Sequence, residues 1–166
     1  MDAVYRKLGQ AFIQDAASTA NPLQQHIAGF YALMMRSLYY KWRLPLDIWE
    51  AYRRGDKQIL QELIEKKIDP LCVVLKETAK ARRQIWMDEC TAFGSEVLDH
   101  RFGAMLMRLE VTKEVLTDYI QGKIQRIDEL EEERLDPCPE SNKALEPQAV
   151  RYNNALKIMT ACRETW

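Results

Sequence analysis

Residues 69–122 read DPLCVVLKETAKARRQIWMDECTAFGSEVLDHRFGAMLMRLEVTKEVLTDYIQG, and the reading of this stretch decides the fold. Leu71, Val74, Leu75, Thr78, Ile85 and Met87 recur at helical spacing, and Leu98, Phe102, Met105, Leu106, Leu109, Leu116, Tyr119 and Ile120 do so again. Steps of three and four place such residues on one face of a helix, where a strand would alternate every second residue. Asp69-Pro70 has the form of a cap followed by proline in the first helical turn. Phe93-Gly94 reads as the end of this first helix, Ser95 as the cap of the second and Gly122 as its stop. Two long helices joined by a short turn pack antiparallel, so a long central antiparallel pair is predicted, with the second, more regular helix as its most buried member and hub.

Toward the N-terminus the same period continues. Val4, Leu8, Phe12 and Ala16 give a helix over about 2–17 that Ser18 to Asn21 breaks. Asn21-Pro22 is a second cap-then-proline signal, and Leu23, Ile27, Phe30, Met34 and Leu38 carry a long helix as far as Trp42. After Pro45, the residues Leu46, Trp49 and Tyr52 predict a short helix that Gly55 stops. Asp56 then caps a surface helix over about 57–67, with Leu60, Leu63, Ile64 and Ile68 on its inner side. Toward the C-terminus, 124–135 fits a short exposed helix carrying the acidic run from Asp128 to Glu133. The segment DPCPESNKALEP holds three prolines and reads as an irregular loop, while RYNNALKIMTACRETW fits either a last helix or an extended tail. The expected fold is all-α: an irregular bundle of about six to seven helices over residues 1–136, with 137–166 as a loop and tail packed on the same domain.

Composition agrees and removes several function classes. The 166 residues are 47% hydrophobic and 30% charged, with only 6 Gly and 6 Pro, as suits one helical globular domain. Lys and Arg number 24 against 25 Asp and Glu, a net charge of -1, so no overall field steers the chain toward nucleic acid or an anionic membrane. The start MDAVYRKLGQAFIQDA lacks the apolar core of a signal peptide, and no run is long enough to span a bilayer. Cys72, Cys90, Cys138 and Cys162 lie far apart without a C-x-x-C pair, as ordinary thiols of a reducing, cytoplasmic compartment would.

Candidate chemistry is sparse. His26 and His100 have no thiol or carboxylate at ligand spacing, and the paired Glu-x-x-His motifs of a di-iron bundle are missing, so neither a metal nor another cofactor is expected. Asp88-Glu89 and Asp128-Glu129 resemble glycosidase carboxylate pairs on paper. Adjacent helical residues, however, point about 100° apart, and both pairs sit among other charges as on solvated faces. Trp42, Trp49 and Tyr52 cluster near the Pro45 break, just after Tyr39 and Tyr40, where core filling competes with contact to a neighbouring domain.

Two stretches carry a family likeness: Tyr40-Lys41-Trp42-Arg43-Leu44-Pro45-Leu46-Asp47, and Phe93-Gly94-Ser95-Glu96-Val97-Leu98-Asp99-His100-Arg101-Phe102-Gly103. With Leu116-Thr117-Asp118-Tyr119 and the Ile127 to Leu135 segment, they resemble the C-terminal helical domain of glycoside hydrolase family 20 enzymes of the streptococcal type, over about 21–135. Those enzymes are exo-acting β-N-acetylhexosaminidases. The resemblance implies a parent enzyme whose catalytic (β/α)8 barrel carries an Asp-Glu pair, with the substrate's own 2-acetamido group as nucleophile. None of those catalytic residues maps onto this chain. The chain alone is therefore expected to be inactive, its partner being the barrel of the parent enzyme and a homodimer a further possibility. Trp42, Arg43, Trp49, Tyr52, Glu96, Asp99 and Arg101 are the candidate interdomain or subunit contacts. The alternative is a free-standing helical module that binds a protein partner or dimerises.

Overall fold

A computed structural model describes residues 2–132 of the chain. Among the described residues seven α-helices follow one another: α1 (Asp2–Ser18), α2 (Pro22–Lys41), α3 (Leu44–Arg53), α4 (Lys57–Leu63), α5 (Asp69–Glu89), α6 (Glu96–Ile120) and α7 (Asp128–Glu131). A π-helical turn, Ile64–Ile68, joins α4 to α5. The fold is all-α, with no strand among the described residues. The loop and tail expected over 137–166 lie outside the described residues.

Local chemistry explains most of the boundaries. The Asn21 side chain accepts hydrogen bonds from the Leu23 and Gln24 amides, and Asp56 accepts one from Ile59, so both serve as the expected caps of α2 and α4. Gly55 takes φ 66° just past the end of α3, a left-handed turn that costs glycine nothing. The break between α2 and α3 falls at Trp42 and Arg43, with Pro45 seated in the first turn of α3. Arg43 itself is left-handed at φ 56°, the one described non-glycine residue with positive φ. Its guanidinium reaches Asp47 at 3.4 Å and Glu50 at 3.5 Å, which helps hold a conformation that disfavours a side chain.

Three boundaries depart from expectation. Asp69-Pro70 does not start a new helix. The chain stays helical through the π turn, where the Asp69 amide reaches back to the Ile64 carbonyl. Proline has no amide to donate and its ring crowds the carbonyl four residues before it, and the wider π turn absorbs both defects. Asp69 spends its carboxylate on Lys113 of α6, 2.5 Å away. Second, α5 ends at Glu89 rather than near Gly94. The Trp86 indole donates to the Thr91 carbonyl at 2.7 Å, and a Cβ on Gly94, at φ 91°, would lie 3.2 Å from the Trp86 ring. Third, the Ser95 hydroxyl does not cap α6. It bonds backward to the Ala92 carbonyl, while the Glu96 carboxylate accepts the Gly94 amide at 2.9 Å.

The Asp69–Lys113 pair sets the start of α5 beside the later part of α6, so these two helices form the expected antiparallel pair. The hub, however, is α5. It buries Leu71, Val74, Leu75, Thr78 and Ile85, whereas α6 buries Leu116 alone. α5 lies between α2 and α6 and is covered from both sides. α6 has the longer apolar stripe but leaves Val97, Met105, Met107 and Val111 exposed. The core gathers at one end of the pair, from Leu44, Ile48, Leu60, Ile64, Ile68, Leu71, Leu116 and Ile127. Tyr52 locks the last segment onto this core: its hydroxyl takes the Ile127 amide at 3.1 Å and donates to Glu131 at 2.6 Å.

Candidate interaction surface

The residues singled out from the sequence fall into two groups. Trp42 closes the end of α2, half-buried, with its ring 5.9 Å from that of Tyr5. Trp49 is half-buried under the Arg53 guanidinium, 5.8 Å from its ring. Arg43 is exposed but engaged with Asp47 and Glu50, and Arg54 also pairs with Glu50. Tyr52 is buried, its phenol pushed above the usual tyrosine range first by burial and then by the bond to Glu131. Tyr52 therefore works inside the chain and offers nothing to a neighbour. Glu96 and Asp99 line a shallow depression at the start of α6 with His100, Gly103, Ala104 and Met107, whereas Arg101 is exposed and does not line it. Next to them stands Phe93, which is 88% exposed on the α5–α6 connection. An aromatic ring left so open favours a protein contact over a core role.

Beside the depression lies a larger feature that the sequence reading missed. Between α2 and α6, with α5 as floor, runs an apolar groove of about 670 Å³, which shares Ala104 with the depression. Phe30, Met34 and Leu38 of α2 form one wall, and Phe102, Met105 and Leu109 of α6 the other. Both sets belong to stripes that periodicity assigns to the core, yet Met105 is 40% exposed and the others are only partly covered. Spacing shows which face is apolar but not whether a second helix covers it. At the base of the groove the hydroxyls of Ser37, on α2, and Thr78, on α5, lie 3.3 Å apart. Each donates to the carbonyl one turn back, at Leu33 and Val74, so neither asks for a polar ligand.

Elsewhere the polar groups are engaged locally. His26 Nδ1 lies 2.6 Å from Asp88, tying α2 to the far end of α5, and Gln84 adds a bond at 2.9 Å. The His26 bond, and then that of Gln84, hold the Asp88 carboxyl below the usual range. Glu89, its sequence neighbour, is exposed on α5. Among the described residues no three His, Cys, Asp or Glu side chains converge where a metal could sit. Nor is any described helix long and apolar enough to cross a membrane. Cys72 and Cys90 are free thiols, and burial, followed by Glu110 and Asp69, pushes that of Cys72 up.

Residues 1–150 match the family described as the Glycoside Hydrolase 20C C-terminal domain, a span that contains the whole stretch of family likeness read from the sequence. No curated protein sequence matches the chain.

Proposed function

Because the chain belongs to the glycoside hydrolase 20C C-terminal domain family, we propose that it is the non-catalytic helical part of a β-N-acetylhexosaminidase, where it supports the catalytic barrel and subunit association. The family match over residues 1–150 carries this reading. On it, the carboxylates that protonate and orient the glycoside belong to the barrel, and this chain contributes packing surface. The exposed apolar positions Phe93 and Met105 and the groove beside them favour a domain that is completed by contact. The free thiols of Cys72 and Cys90 favour a reducing, cytoplasmic setting.

The test is an assay on a chromogenic N-acetylglucosaminide. The chain alone should give no turnover above buffer, and mixed with a family 20C catalytic domain it should raise that domain's melting temperature by several degrees. Enzyme-level turnover by the chain alone, abolished by Glu89→Gln or Glu129→Gln, would refute the reading.

Subunit association has its own surface. Val97, Ala104 and Val111 recur every seven residues on the exposed side of α6, with Met107 between them, as on the seam of a helix pair. Sedimentation of the chain should show a dimer that Met107→Glu converts to monomer. A monomer at all concentrations removes this part of the proposal.

A further inference from the structure

The groove between α2 and α6 has a chemical polarity that identifies what fills it. Its floor follows α5 from Leu71 to Thr78, about 10 Å at the helical rise, or roughly two turns. Because α6 runs antiparallel to α5, Leu109 and Arg108 lie toward the Leu71 end and Phe102 toward the Thr78 end. α2 also runs against α5, since His26 meets Asp88 and Ser37 meets Thr78. This brings Lys41, the last residue of α2, to the Leu71 end as well. Lys41 and Arg108 thus flank the same mouth of the groove. Both side chains are exposed, and among the described residues neither has a carboxylate within 4.0 Å. Most of the nearby cations are paired: Arg43 holds Asp47, Arg36 holds Glu77 and Lys113 holds Asp69.

An apolar trough with two uncommitted cations at one mouth suits an amphipathic helix that is apolar along one face and acidic at one end. Resting on the reading of this chain as a domain of a larger hydrolase, we infer that the groove seats such a helix of the catalytic domain. Its apolar side chains lie over Met34, Leu38, Phe102 and Met105, and a carboxylate reaches Lys41 and Arg108. A side chain every third or fourth residue along two turns places about three anchors in the trough, and the acidic residue falls one turn beyond them.

Isothermal titration of the whole chain with the family 20C catalytic domain, produced without its own helical domain, tests the inference. Three variants are compared with the parent chain: Lys41→Glu with Arg108→Glu, Met105→Glu in the groove wall, and Ile13→Glu on the exposed face of α1. All four positions are exposed, so circular dichroism and melting should show the fold unchanged. The expected result is binding at least tenfold weaker for the charge reversal and for Met105→Glu, and unchanged for Ile13→Glu. The parent's affinity should also fall with added salt more steeply than that of the double variant. Binding of all variants as tightly as the parent would overturn the groove assignment while leaving the domain reading intact. No binding by the parent chain would overturn both. A parent chain that self-associates through the same Met105-sensitive face, in place of binding the catalytic domain, would overturn the inference in favour of a second copy as occupant.

Discussion

Around Ile68 and Leu116 the α5–α6 pair is closed in by α3, α4 and the Ile124–Leu130 segment, and both side chains are at most 2% exposed. Around Phe102 and Met105 the same pair is open, with α2 standing off across a groove and Phe93, Val97 and Met107 facing solvent. One helix pair therefore has one end that is packed like a protein interior and one that is apolar but uncovered. The difference is not one of composition, since both ends of α6 carry aliphatic and aromatic side chains at similar spacing. It lies in the neighbours. At the closed end α3, α4 and the segment after α6 cover the pair, whereas at the open end the chain adds only α1, which precedes α2 and packs against it. The closed end makes the fold and the open end is where a partner's contribution would be felt.

Substitutions at the two ends should separate this division by size. The largest effect is expected at the closed end: Leu60→Ala or Ile68→Ala, both wholly enclosed, should cost about 2–5 kcal/mol in urea unfolding. Met107→Ala on the open face should change stability by no more than about 0.5 kcal/mol. Equal losses at Ile68 and Met107 would break the comparison. Next in size, Tyr52→Phe keeps the ring but leaves the buried Ile127 amide without its acceptor, and should cost about 1–3 kcal/mol. Limited proteolysis within 124–131 should accelerate in that variant and not in Trp49→Phe.

Smaller effects sharpen the open end. Asn21→Ala removes the side chain that caps α2 and should lower stability by about 1 kcal/mol, measured by thermal melting. The smallest expected effect is at the His26–Asp88 link. The Asp88 carboxyl titrates below its ordinary range in the fold, so its contribution is complete above about pH 4 and is lost as acid passes through the lowered folded value. The pair lies at the surface, so Asp88→Asn should leave melting at neutral pH nearly unchanged and flatten its acid limb. A large loss for Asp88→Asn at neutral pH would mean that the open end depends on this link more than its exposure allows.

Much of this architecture was legible in the sequence because its determinants are local. The caps at Asn21 and Asp56, the stop at Gly55 and the helical period all act within a turn or two. The family likeness around Arg43 and Phe93 was legible for the same reason, as short ordered motifs. What stayed hidden depends on partners distant in sequence. Asp69-Pro70 carries the same signal as a true helix start, and only the π turn and the Lys113 contact distinguish it. The longer apolar stripe of α6 suggested a hub, but burial follows from having neighbours on two sides, which α5 has and α6 lacks. Tyr52 looked available because its attachment to Ile127 and Glu131 joins positions far apart in the chain. The groove escaped notice because its residues were each assigned, correctly, to an apolar face, and nothing in the spacing records that the face is uncovered.

Native-state hydrogen exchange, run on this chain alone and then with the catalytic domain bound, tests the division most directly. Amides of α4, the first half of α5 and the end of α6 should exchange slowly in both, at the stability of the whole fold. Amides of α2 after Phe30 and of α6 before Leu109 should exchange faster in the chain alone and slow at least tenfold on binding. Equal protection of both ends in the isolated chain, or slowing that bypasses the groove helices on binding, would contradict the account.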